Sequence, residues 1–155
     1  MTKSVWRIAT DTPAYTADDL SGAGAKTTGG RWNPAGIAML YASETIALAC
    51  LETLVHTKAV GLPFNRYLVR IDIPDSAWAA AEVFPGDVGW DALPAGKVSI
   101  DYGTQWAREG RSALLRVPSV VVPEEFNVLV NPAHRDSAGI MASKVRRWLY
   151  DPRFA

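Results

Sequence analysis

The stretch that most restricts how this chain can fold runs from Gly29 to Val55. It opens with Gly29-Gly30-Arg31-Trp32-Asn33-Pro34-Ala35-Gly36, where Pro34 fixes φ and Gly36 is free to take a positive φ, so a tight turn is dictated. Ile37-Ala38-Met39-Leu40-Tyr41 follows as an apolar run of strand length. Ser43 then reads as an N-cap, with Glu44 in the first turn, for a helix over residues 44–57. Ala47, Leu48, Leu51, Leu54 and Val55 make one apolar face of that helix, and Glu52 lies at its margin. Turn, buried strand and half-buried helix therefore follow in immediate succession.

The rest of the chain supplies more short elements. Trp6-Arg7-Ile8 begins an extended segment that Asp11-Thr12-Pro13 closes. Residues 21–30 are small and flexible and read as a loop leading into Arg31. Arg66 to Ile73 alternates, with Tyr67, Val69, Ile71 and Ile73 on one face, which predicts a half-buried strand. Residues 75–97 predict short helical turns and loops, and Asp101 to Arg111 a short amphipathic helix containing Trp106. Ser112 to Val122 is strand-like, but Pro118 demands an edge, bend or bulge. Phe126 to Val130 is a strand stopped by Asn131-Pro132, and residues 136–149 are expected to form the last helix. With no repeat and no linker, these elements make one α+β domain over residues 1–155.

Composition narrows the function classes. At 155 residues, with 48% hydrophobic and 21% charged, the chain is globular and long enough to bury one real core. A formal net charge of zero excludes a general electrostatic grip on nucleic acid. The late cluster Lys144, Arg146 and Arg147 reads as a solvated helix face. Cys50 is the only cysteine, so no internal disulfide forms, and its apolar neighbours make it a small buried hydrophobe. No basic segment leads into an apolar run at the N-terminus, and no stretch has membrane-spanning length. A cytoplasmic protein with no membrane partner is expected.

Several site chemistries drop out. Neither a phosphate loop nor a dinucleotide Gly-x-Gly-x-x-Gly is present. His56 and His134 are the only histidines and lack a cysteine cluster, so no metal site is expected. No Gly-x-Ser-x-Gly elbow marks a serine nucleophile, and His134 reads as a surface loop residue. What remains is Arg31 on a glycine-framed turn, Tyr41 at a strand end and Glu52 on a helix margin. That trio suits a nucleotide: a cation for phosphate, a ring for stacking and a carboxylate beside a sugar. The residues alone leave plainer readings open. Arg31 would equally salt-bridge Glu44 or Asp19, Tyr41 would be core, Glu52 an ordinary flank residue, and Ser119 a turn hydroxyl. Trp32 reads as the packing residue that fixes the Arg31 turn.

Taken in order, the motifs point further. Trp6-Arg7-Ile8, Gly30-Arg31-Trp32-Asn33-Pro34-x-Gly36, Leu40-Tyr41-Ala42-Ser43, Ala47-x-x-x-x-Glu52-x-Leu54, Arg116-Val117-Pro118-Ser119, Asn127-x-Leu129-x-Asn131-Pro132 and Asp151-Pro152-Arg153-Phe154 closely resemble the RES-domain proteins. The resemblance covers essentially the whole chain. It implies a fold like that of ADP-ribosyltransferases, and a toxin of a type II toxin–antitoxin module paired with an Xre-like helix-turn-helix antitoxin that blocks the active site. It implies depletion of cellular NAD by hydrolysis or phosphorolysis, with NAD as substrate and no cofactor required. Mono-ADP-ribosylation of a specific protein is the alternative that some relatives imply. Matched by motif, the family arginine falls on Arg31, the active-site tyrosine on Tyr41, the glutamate on Glu52 and the serine on Ser119. Ser112, seven residues before Ser119, competes for the last place.

Chemistry fits what the resemblance implies. Cleaving the nicotinamide–ribose bond passes through an oxocarbenium-like state, which a carboxylate such as Glu52 stabilises selectively. Arg31 offers a planar fork of donors to pyrophosphate. Tyr41 offers a ring for nicotinamide and a hydroxyl, and Ser119 either binds substrate or holds Glu52. A non-enzymatic binding module is the remaining alternative.

Overall fold

Alternating residues build a single mixed sheet, and the computed structural model describes residues 1–56 and 62–155 of it and its surroundings. The long alternating run is β3 (Arg66–Pro74), paired antiparallel with β1 (Thr2–Thr10) on one side and β7 (Met141–Trp148) on the other. Beyond β1 lie β2 (Leu40–Ser43), β6 (Phe126–Val130), β5 (Leu114–Pro118) and the two-residue β4 (Glu82–Val83). The order is β4-β5-β6-β2-β1-β3-β7, with only β4 and β5 parallel. Among the described residues, four α-helices decorate the sheet: α1 (Ala23–Thr28), α2 (Ile46–Leu54), α3 (Asp75–Ala79) and α4 (Lys97–Glu109). This is one α+β domain.

Three apolar clusters pin the layers. Val5, Leu40, Ala42, Val69, Ile71 and Val128 pack on one face of the sheet with α3 and the 11–20 segment. On the other face, α4 buries Trp106 against Leu115, Val117, Leu129 and Trp32. On that same face α2 sets Ala49 and Cys50 on Ile8 and Leu68. Cys50 is thus the buried hydrophobe its context predicts, and burial pushes its thiol pKa up.

Several sequence expectations need correction. The helix expected over 136–149 is a short 3₁₀ turn (Arg135–Gly139) followed by β7. Met141, Val145 and Trp148 recur at helical spacing, but β7 is an edge strand with exposed residues along most of its length, so no alternating apolar face was required to betray it. The basic cluster consequently lies on a strand, where Lys144 pairs with Asp11 at 2.9 Å. Ser43 does not cap α2. Thr45 does, accepting from Leu48 N at 3.1 Å, and α2 ends at Leu54. The expected end of that helix at residue 57 lies outside the described residues. Its buried face centres on Leu48, Ala49 and Cys50, while Ala47 and Val55 are exposed, because small residues let the helix sit close to the sheet. The 21–30 segment contains α1 rather than only loop, and the amphipathic helix begins at Lys97, four residues early. Pro118 ends β5 beyond the reach of β4, which pairs only with Leu115 and Arg116, so its missing N–H costs no ladder bond there.

Candidate functional site

The Arg31 turn is built around a buried amide. Asn33 is fully buried, and its Nδ2 donates to the carbonyls of Ala25, Pro34 and Ile37. Its Oδ1 accepts from Tyr41 Oη at 2.6 Å, and Tyr41 Oη in turn accepts from Trp32 N at 3.0 Å. Gly30 is packed so tightly that a Cβ there would stand 2.7 Å from Tyr41 Oη. Helix α4 closes the turn from above. Ser99 Oγ donates to Arg31 O at 2.7 Å, and Gly103, one helical turn later, lets the helix approach the Trp32 carbonyl. Trp32 packs edge-on against Phe84 with centroids 4.9 Å apart, which matches its expected packing role.

Two of the expected site residues have their partners fixed in this setting. Tyr41 has its hydroxyl committed to the turn, and burial raises its pKa well above the ordinary phenol range, with Trp32, Asn33 and Arg31 opposing. It is a neutral structural donor whose ring stays half-buried. Arg31 pairs with neither Glu44 nor Asp19. Its Nη1 donates to the carbonyls of Trp90 (3.1 Å) and Ala92 (2.8 Å), and Glu44 is taken by Arg116 at 2.6 Å. Among the described residues, Nε and Nη2 of Arg31 have no hydrogen-bond partner, so a two-donor edge remains for an anion.

Glu52 sits in a second cluster on the same sheet face. Ser119 is fully buried at the end of β5, where its Oγ accepts from Val121 N and Val122 N and donates to Glu52 Oε1 at 2.6 Å. Asn127 of β6 donates Nδ2 to the same Oε1 at 3.1 Å, and its Oδ1 accepts from Ser43 Oγ at 2.7 Å. Glu52 itself is half-buried, and among the described residues Oε2 receives no hydrogen bond. Ser119 therefore holds the carboxylate and has no free hydroxyl for a ligand. Ser112 lies elsewhere, between Trp106 Nε1 and Leu114 O.

The two clusters adjoin because Tyr41 and Ser43 are two residues apart on β2, so their side chains share a face about 7 Å apart. Sequence reasoning missed three contributors. Asn127 and Ser43 are polar residues on strands otherwise apolar, which is the signal that would have exposed them. Arg7 is the third. β1 and β2 share one register pair, Trp6–Ser43, and where they part Arg7 Nη1 donates to Tyr41 O at 2.9 Å. Its Nε is buried with no hydrogen-bond partner among the described residues, and burial lowers its pKa against the charges of Tyr15 and Asp19. His134 Nδ1 accepts from Asp136 N and caps a 3₁₀ turn.

Comparisons with known proteins agree on one family. The model of the RES domain matches residues 4–152. The chain is 65% identical over 156 residues to the "Prs ADP-ribosylating toxin" of Sphingobium sp. (strain YBL2), covering 99% of this chain and 97% of that protein. It is 36% identical over 140 residues to "Toxin Res" of Yersinia enterocolitica, covering 90% of this chain and 92% of that one. A "Toxin Res" of Pseudomonas putida is 35% identical over 132 residues, covering 84% and 85%.

Proposed function

The chain belongs to the RES-domain family, and we propose that it is a toxin that cleaves the nicotinamide–ribose bond of NAD and passes the ADP-ribosyl group to a protein acceptor. The observation that carries this is Glu52, a half-buried carboxylate anchored through one oxygen by Ser119 and Asn127 with the other oxygen left unbonded. Nicotinamide leaves neutral with the bonding electron pair, and positive charge develops at the ribose. An anchored carboxylate stabilises that charge without reorganising, so its effect falls on the transition state. The free edge of Arg31 supplies a cation for the pyrophosphate, beside the ring of Tyr41. A fold like that of ADP-ribosyltransferases accompanies this reading, and NAD is its substrate, with no further cofactor.

The acceptor decides between two outcomes. In transfer, a nucleophile of the target protein attacks the ribose carbon and loses its proton; in hydrolysis or phosphorolysis, water or phosphate takes that part. The name of the relative at 65% identity favours the protein acceptor. Incubation of the purified chain with labelled NAD and a cell lysate tests the choice: a labelled protein band is expected, whereas free ADP-ribose alone would establish NAD degradation. Glu52→Gln is expected to lower nicotinamide release by about 10²-fold or more with NAD binding retained. Full activity of that variant would sink the assignment.

Such an activity in the cytoplasm requires restraint, and the proposed partner is an Xre-like helix-turn-helix antitoxin that covers Arg31 and Glu52. The exposed Val88 and Leu93 flank the carbonyls that Arg31 holds, and offer that partner an apolar foothold. Addition of the antitoxin is expected to abolish nicotinamide release; undiminished release from a stoichiometric complex would refute this.

A further inference from the structure

We propose that Asn127 and Ser43 form a positioning relay that fixes which oxygen of Glu52 faces the substrate; the inference rests on the NAD-cleaving reading. The relay runs across two strands to a helix. Ser43 Oγ on β2 donates to Asn127 Oδ1 at 2.7 Å, and Asn127 Nδ2 on β6 donates to Glu52 Oε1 at 3.1 Å. Ser43 and Asn127 are a register pair of the β2–β6 ladder, so backbone pairing already holds them opposite one another. Ser43 is buried, which keeps water from competing for the amide oxygen.

The direction of the amide is determined chemically. Turned by 180°, Asn127 would place its oxygen against the Glu52 carboxylate, and its NH₂ would face a hydroxyl already able to donate. The observed direction spends both donors, Ser119 Oγ and Asn127 Nδ2, on Oε1 alone. One carboxylate oxygen is thereby saturated inside the fold and the carboxylate plane is fixed. Oε2 is left to a ribose hydroxyl and to the charge developing on the sugar. Ser119 by itself occupies one lone pair of Oε1 and leaves the carboxylate free to turn about that bond; Asn127 occupies the other lone pair and holds the plane. Neither Ser43 nor Asn127 needs to touch the substrate.

Asn127→Asp tests the relay with almost no change of shape. Its Oδ1 still accepts from Ser43, but an oxygen replaces the nitrogen facing Glu52, so two carboxylates compete for one proton. Purified wild type and N127D are compared for nicotinamide release across pH 5–9 with cell lysate as the source of acceptor, and their melting temperatures are measured alongside. The variant is expected to keep KM within about twofold, to lose roughly 10- to 100-fold in kcat at pH 7, and to move the acid limb of its profile to higher pH. Ser43→Ala, which keeps the amide but frees it to turn, is expected to lower kcat less and to leave KM unchanged. A merely structural role would lower the melting temperature of both variants without moving the acid limb. Unchanged kcat and pH profile in N127D, or in S43A should N127D not fold, overturns the relay while leaving the NAD reading intact. Wild-type protein that releases no nicotinamide even with the lysate present overturns both.

Discussion

Replacing Gly103 by alanine probes how the fold holds the arginine turn. A Cβ at this position would stand 1.8 Å from the Trp32 carbonyl oxygen and 2.8 Å from the Trp32 carbonyl carbon. Relaxing that contact to ordinary van der Waals separation requires roughly 1.5 Å of movement. The obstacle is backbone, so no rotamer change relieves it, and Trp32 is itself wedged against Phe84 and Trp106. Overpacking of this kind costs about 1–3 kcal/mol, and the upper end applies here. Alanine returns about 1 kcal/mol through helix propensity. The net loss is then about 2 kcal/mol, or about 4–8 °C in melting temperature for a domain of this size. The local consequence is larger than the global one, because Ser99 on the same helix face holds the Arg31 carbonyl. Moving α4 outward moves the Arg31 edge as well. Thermal unfolding followed by circular dichroism, with a calorimetric NAD titration, measures both effects. A variant as stable as wild type with equal NAD affinity would refute the reasoning, since it would mean that α4 does not constrain the turn.

Removing the Tyr41 hydroxyl, as in Tyr41→Phe, leaves Trp32 N and Asn33 Oδ1 without their partner. A stability loss of about 1–3 kcal/mol is expected in denaturant titration, together with a raised KM for NAD as the turn loosens. A fall in kcat alone, with unchanged stability, would instead mean that the hydroxyl acts on substrate. Asp11 accepts from Ala17 N and from Lys144 Nζ, and these bonds hold its carboxyl pKa below the usual value. A carboxyl depressed in the folded state contributes stability that is complete above its unfolded pKa of about 4 and lost as pH falls through the folded value. Asp11→Asn is therefore expected to be less stable than wild type at pH 7, with the gap narrowing at pH 3; a constant gap in urea titrations at the two pH values would contradict this.

Much of the site was legible in the chain order. Pro34 and Gly36 dictated a turn at Arg31 and Trp32 was read as its packing anchor, but of the apolar run expected as a strand only Leu40 and Tyr41 belong to β2, which starts three residues later than Ile37 and continues to Ser43. These are local effects: a fixed φ, a missing Cβ and a run of apolar side chains act on neighbours whatever the rest of the chain does. Periodicity failed where the local signal was ambiguous. Residues 141–148 carry helically spaced apolar residues, yet they pair with β3, because a sheet edge satisfies the backbone without asking for an apolar pattern. The cap of α2 moved from Ser43 to Thr45 for a related reason, since Ser43 is drawn into the ladder opposite Asn127.

By itself, then, the sequence determined which residues carry charge and donors, and the turns and elements that present them: Arg31 on its turn, Tyr41 on a strand, Glu52 on a helix. Only the tertiary structure decided their partners. Ser119 and Asn127 lie 67 and 75 residues from Glu52, Ser99 lies 68 from Arg31, and Arg7 lies 34 from Tyr41. Hydrogen bonds are satisfied by whatever the packed sheet brings within about 3 Å, and burial makes leaving a polar group unpaired costly. Strand order, which no local propensity encodes, therefore chose Ser119 over Ser112 to hold the glutamate and turned Tyr41 from a free hydroxyl into the pin of the arginine turn.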